Sequence, residues 1–137
     1  MLTVRISSFS FVYGIIPVDP SGHGGGFVFD CRALPNPGRY EQYKALTGMD
    51  EPVIKYLSAE PEVKDFLDQS FSLIDQAVSK YIERGFNSLM VSFGCTGGQH
   101  RSVFAAEQLS QYISDNYQDV IISLRHWARE EADKKKL

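Results

Sequence analysis

Residues Ser88–Leu109 read SLMVSFGCTGGQHRSVFAAEQL, and this stretch decides the fold. Ser88 to Phe93 is a nearly continuous apolar run of strand length. Beyond Gly97 and Gly98 the period changes, and Val103, Ala106, Leu109, Tyr112 and Ile113 recur at three- and four-residue spacings, the apolar stripe of a helix. A buried strand that turns through glycines into a helix is half of a parallel crossover.

The same pattern repeats outward. Val63, Phe66, Leu67, Phe71, Ile74, Val78 and Ile82 predict a helix from Glu60 to about Arg84, which Gly85 ends. GFVFDCR gives a short strand, Phe27 to Asp30, that delivers Asp30, Cys31 and Arg32 at its end, with Cys31 expected as a half-buried thiol. LTVRISSFSF, Leu2 to Phe11, alternates apolar and polar residues as a first strand does. DVIISL, Asp119 to Leu124, is a further strand, and RHWAREEADKKK after it is helical or frayed. Two irregular stretches separate these elements. VDPSGHGGG, Val18 to Gly26, is a glycine-rich loop, and LPNPGRYEQYKALTGMDEP is an excursion with one helical turn near Tyr40 to Leu46, in which Asp50 and Glu51 organise a turn before Pro52. The order predicts an α/β fold: a single compact domain over 1–137, a small mainly parallel sheet flanked by helices, a ligand loop at a strand's carboxyl end, and a basic tail fraying over 130–137.

A chain of 137 residues, 43% hydrophobic and 23% charged, has the length and composition of one domain with its own core. No apolar run approaches a membrane span and no secretory signal opens the chain, so the expected address is cytoplasmic. Cys31 and Cys95 are expected to be reduced, and no metal-ligand spacing joins them to His23, His100 or His126. Neither metal nor cofactor is expected. A net charge of -3 excludes a uniformly basic nucleic-acid-binding surface and leaves only local patches.

The chemistry gathers at Gly94–Ser102. Gly94, Gly97 and Gly98 let backbone amides converge where the next helix brings its own unpaired amides and positive dipole end. Arg101 adds a permanent charge, Thr96 and Ser102 add hydroxyls, and His100 a tunable group. Together these make an anion cradle suited to phosphate. The alternative is a plain strand-to-helix turn with a core cysteine and a solvated arginine. CTGGQHRS also satisfies C-x-x-G-x-x-R-S, the loop of cysteine-dependent phosphatases, in which Cys95 would attack phosphorus and Arg101 would bind its oxygens. A leaving-group acid would then be needed, and Asp30 and Asp19 are the candidates.

A wider pattern runs through FSF (Phe9–Phe11), GIIP (Gly14–Pro17), FVFDCRALPNP (Phe27–Pro37), LTGMDEPV (Leu46–Val53) and GCTGGQHRSVFAAEQL (Gly94–Leu109). In these motifs, in this order, the chain resembles the C-terminal domain of the RapZ family of RNase adaptor proteins. The resemblance implies an α/β domain that binds a phosphorylated amino sugar as a metabolite sensor. It also implies, for some members, a small RNA presented to a ribonuclease. Carried over by position, Cys95, Thr96, Gly97, Gly98, Gln99, His100, Arg101 and Ser102 would form the ligand site, faced by Asp30 and Arg32. The chain departs from the family's pattern in four ways, the first a longer glycine-rich insertion, Ser21 to Gly26. It has Gln99 where the family has lysine, it has Val12 and Tyr13 where the family has lysine and histidine, and it lacks the GxxxxGK[ST] motif of the family's ATPase domain. For RNA, the residues at hand are Arg125, Arg129, Lys134, Lys135 and Lys136, interrupted by Glu130, Glu131 and Asp133. The other reading of that tail is a solvated helix end. Phosphorylated ligand, RNA, ribonuclease or other protein, and a further copy of the chain are the partners expected, and a membrane is not.

Overall fold

The computed structural model describes residues 1–23 and 25–135. Four strands, β1 (Leu2–Ser10), β2 (Gly26–Asp30), β3 (Ser88–Cys95) and β4 (Val120–His126), form one sheet in the order β2-β3-β1-β4. All three neighbouring pairs are parallel. The helices are α1 (Glu51–Ser58), α2 (Pro61–Glu83), α3 (Arg101–Asn116) and α4 (Trp127–Lys135).

Handedness explains where the connections run. The step from β2 to β3 and the step from β3 to β4 move across the sheet in one direction, so right-handed crossovers place α2 and α3 on the same face. One core accordingly joins Val4 and Ile6 of β1, Val91 and Phe93 of β3, Ile74 and Val78 of α2, and Leu109 and Ile113 of α3. The step from β1 to β2 runs the other way. It passes over the opposite face, where Pro17, Val18 and Pro20 border a cavity shared with Arg5, Met90 and Ser123. β1 and β3 are therefore adjacent strands whose connections leave to opposite faces, and the crevice between their carboxyl ends is where ligands of open α/β sheets gather.

The sequence-based boundaries need few changes. The long helix ends as expected: Gly85 takes φ +72°, its amide reaches Ile82 O, and the Phe86 amide reaches Tyr81 O. That is the glycine-terminated stop in which the two residues flanking the last turn also pack, here as Tyr81 on Phe86. The excursion before it contains more order than expected. The turn before Pro52 opens helix α1, since Pro52 sits in the first turn, where its missing N–H costs nothing. Val53 and Leu57 of α1 then build a second, smaller core with Val63 and Phe104. Cys31 is fully buried, where half-burial was expected, and that burial pushes its thiol pKa up. The expected fraying tail is helical through Lys135, and Lys136 and Leu137 lie outside the described residues. Among the described residues no helix is long and apolar enough to cross a membrane.

Candidate functional site

Backbone contacts hold the loop after β3 before any side chain acts. Gly94 lies under two aromatic rings, and a Cβ there would stand 2.5 Å from Phe9 and 2.4 Å from Phe11. Gly98 has φ +72°, and a Cβ on it would meet Ala128 Cβ at 2.5 Å and the Ser10 amide at 3.0 Å. Only glycine fits either contact. Ser10 Oγ donates to Thr96 O at 2.6 Å, pinning the loop to the end of β1. On the far side Gly48 N donates to Gln99 O at 2.8 Å, so close that a Cβ on Gly48 would lie 2.4 Å from both His100 O and Phe104 N.

The side chains named from sequence divide into two groups. His100, Arg101, Cys95 and Ser102 turn inward. His100 Nε2 is 2.9 Å from Tyr43 O. Arg101, only 5% exposed, donates through Nη1 to Arg32 O (2.8 Å) and Leu34 O (3.0 Å), and through Nη2 to Thr96 Oγ1 (3.5 Å). Its Nε is buried without a hydrogen-bond partner. Cys95 Sγ is 3.1 Å from Ser102 Oγ, both buried. Thr96, Gly97 and Gln99 form the outer surface, and Gln99 Oε1 accepts from Arg129 Nη1 at 3.2 Å.

Two features favour an anion. Arg101 is buried with no carboxylate at ion-pair distance among the described residues. The backbone amides from Gly97 to Ser102 reach no protein acceptor among those residues, and no side chain caps α3. Helix starts take such partners from side chains, water or ligands, and α1 and α2 likewise begin without a side-chain cap, so the run of open loop amides is what sets α3 apart.

Asp30 and Arg32 stand at the end of β2 as an exposed pair, 2.7 Å apart, with Arg32 stacked 4.0 Å over the Phe11 ring. The hydrogen bond from Arg32 holds the Asp30 carboxyl below its ordinary range. A group held ionised in this way is poorly suited to protonate a leaving group. Asp19 accepts from Ser21 and from the His23 amide within its own loop.

A cavity of about 460 Å³ opens beside the loop, bounded by Ser10, Tyr13, Gly97, Gln99, Trp127 and Lys135. Helix α4 supplies its far wall, a role that the sequence reading of the tail had not assigned. Of the basic residues there, Lys135 faces this cavity, Arg129 holds Gln99, Arg125 pairs with Glu130 at 3.1 Å and Lys134 pairs with Glu131 at 3.4 Å. Sequence reading also missed a relay that ties β1 and β4 to α3. Ser8 Oγ is 2.6 Å from His126 Nδ1, and His126 Nε2 is 2.9 Å from Glu107. Ser8 is fully buried, so the relay is a brace between sheet and α3 rather than a reactive group. No local sequence signal joins residues 8, 107 and 126: the sheet register pairs Ser8 with His126, and the packing of α3 on the sheet brings Glu107 to them.

A family model of the RapZ C-terminal domain matches residues 2–128. A protein of Marinobacter nauticus named "Nucleotide-binding protein" is 38% identical over 125 residues, 91% of this chain and 40% of that protein. One of the same name from Tolumonas auensis is 41% identical over 112 residues, 82% of this chain and 37% of its own. A third, from Geobacillus kaustophilus, is 39% identical over 119 residues, 87% of this chain and 38% of its own. The chain thus spans about two-fifths of the length of these curated relatives.

Proposed function

The chain belongs to the RapZ C-terminal domain family, and on that footing we propose that it is a binding domain for a phosphorylated small molecule held at the Gly94–Ser102 loop. The observation that carries this reading is a buried Arg101 that, among the described residues, has no carboxylate at ion-pair distance and feels Asp30 only from farther off, set behind a run of amides without acceptors among those residues. A phosphate at the loop accepts from those amides and balances the buried charge. The adjacent cavity has the size of a small-molecule site, with Gln99 and Lys135 as polar groups and Tyr13 and Trp127 as apolar ones. An amino-sugar phosphate is the ligand that the family resemblance suggests. Because α4 forms a wall of that cavity, occupancy is passed on through α4 to a protein or RNA partner. The relatives' name, nucleotide binding, is compatible with a phosphate at this loop, although the larger part of each relative lies outside the match.

Turnover by Cys95 is the second reading, and the C-x5-R spacing with the Cys95–Ser102 contact favours it. Against it stand the burial of Cys95, the engagement of Arg101 with the carbonyls of residues 32 and 34, and the ionised state of Asp30. Calorimetric titration with an amino-sugar phosphate should give saturable binding that Gly98→Ala weakens, and equal affinity in that variant would defeat the loop assignment. Incubation with an aryl phosphate should release no phosphate in a Cys95-dependent manner. Release that disappears in Cys95→Ser would instead install the phosphatase reading.

A further inference from the structure

Parallel sheets are ordinarily covered on both faces. Here α2 and α3 cover one, and the loop between β1 and β2 crosses the other. The register places Arg5 of β1 beside Ser123 of β4, and Ser7 beside Arg125. Arg5 and Arg125 are therefore diagonal neighbours on that second face, and like charges so placed repel. Both line a cavity of about 310 Å³ roofed by Pro17 and Pro20 and walled by Met90 and Trp127.

The charges there are incompletely balanced. Arg5 is half-buried and donates from Nε to Ser88 Oγ at 3.2 Å, with no carboxylate at ion-pair distance among the described residues. Arg125 gives Nε and Nη2 to Glu130 in a pair whose side chains are 60% and 42% exposed, which water already screens, and its guanidinium lies 5.3 Å from the Trp127 ring centroid, so that charge and ring form one edge of the cavity. Asp19, the carboxylate of the roof segment, is engaged by Ser21 and the His23 amide and does not line the cavity.

We propose that this cavity is a second binding site, separate from the loop site, for a small molecule that carries a phosphate or carboxylate group on a flat apolar body. The anion sits between Arg5 and Arg125 with Ser123 as a hydroxyl donor, and the body lies between the proline roof and the Met90 and Trp127 walls. The volume is at the small end of ligand sites, which suits a body of one ring. The two cavities share only Trp127, so either site can fail without the other.

Trp127 is the only tryptophan of the chain and reports occupancy by its fluorescence. Phenylphosphonate and benzoate are titrated into the protein, followed by fluorescence and calorimetry, with inorganic phosphate as the probe lacking an apolar body. The expected result is a saturable step with at least one aromatic anion, weakened about tenfold or more in Arg5→Gln and in Arg125→Gln and retained in Gly98→Ala. Arg125 is exposed enough that its variant keeps the fold, and Arg5→Lys, which retains the charge, should recover part of the affinity lost in Arg5→Gln. Three results overturn the proposal: no saturable step with either aromatic anion, affinities unchanged in both glutamine variants, or inorganic phosphate bound as tightly through the same arginines.

Discussion

The two ends of α3 both engage polar groups, buried at the first turn and half-buried at the last, and they are completed differently. In the helix's last turns and just beyond, Tyr112 and Tyr117 both donate to the Asp75 carboxylate, the latter at 2.7 Å. Donor and acceptor account for each other there, and the result is a joint between α2 and α3. At its first turn Arg101 finds carbonyls and a hydroxyl, and the loop amides before it find no protein acceptor among the described residues. Folding alone does not require a surplus of donors. The closed end reads as architecture, and the open end is where the proposed function puts an anion.

Removing Arg101 is the harshest way to break that contrast. Arg101→Ala removes two charged hydrogen bonds and leaves the carbonyls of Arg32 and Leu34 unpaired, so a loss of about 3–5 kcal/mol is expected in denaturant unfolding. A loss below about 1 kcal/mol would show that the clamp contributes little. Paired glycine variants sharpen the contrast. Gly98 and Gly85 share φ +72°, but a Cβ on Gly85 meets nothing within 4 Å while one on Gly98 meets Ala128 and the backbone of Phe9 and Ser10. Gly85→Ala should cost about 1 kcal/mol and leave phosphate binding intact. Gly98→Ala should cost about 2–3 kcal/mol and weaken binding, and equal behaviour of the two variants would remove the special status of the loop.

The closed end makes the opposite expectation. Tyr112→Phe should cost about 1–2 kcal/mol and leave ligand affinity unchanged. The hydrogen bond to Asp75 pushes the Tyr112 phenol up to about 12 from an ordinary 10.0. A raised value means that the stabilisation is fully present below pH 10 and is lost as pH climbs through 12, so alkaline melts should show that loss in the native chain and not in Tyr112→Phe. The smallest effect belongs to Asp30. Its depressed carboxyl contributes stability above its ordinary value of 3.8 and loses it as pH falls below, a slope that Asp30→Asn should flatten only slightly because both side chains of the pair are 47% exposed.

Much of the fold was legible because its signals are local. The periodicity of Val63 to Ile82, the stop at Gly85 and the strand-glycine-helix pattern of Ser88–Leu109 each depend on neighbours in sequence. Helix α1 was not, since two prolines and two glycines in the preceding stretch masked an eight-residue helix that stands on packing against α2 and Phe104. The loop's position was likewise readable, but the direction of its side chains was not. That Arg101 clamps carbonyls of residues 32 and 34, and that His100 reaches Tyr43, depends on chain brought back across more than fifty residues. The braces Ser8–His126–Glu107 and Asp75–Tyr112–Tyr117 are hidden for the same reason.

The most direct test of the open end follows the loop amides themselves by nitrogen-15 correlation spectroscopy during titration with an amino-sugar phosphate. Saturable shifts concentrated on Gly97 to Ser102, with the amides around Asp75 and Tyr112 unmoved, are the result this account expects. A ligand that binds without moving the Gly97–Ser102 amides would contradict it.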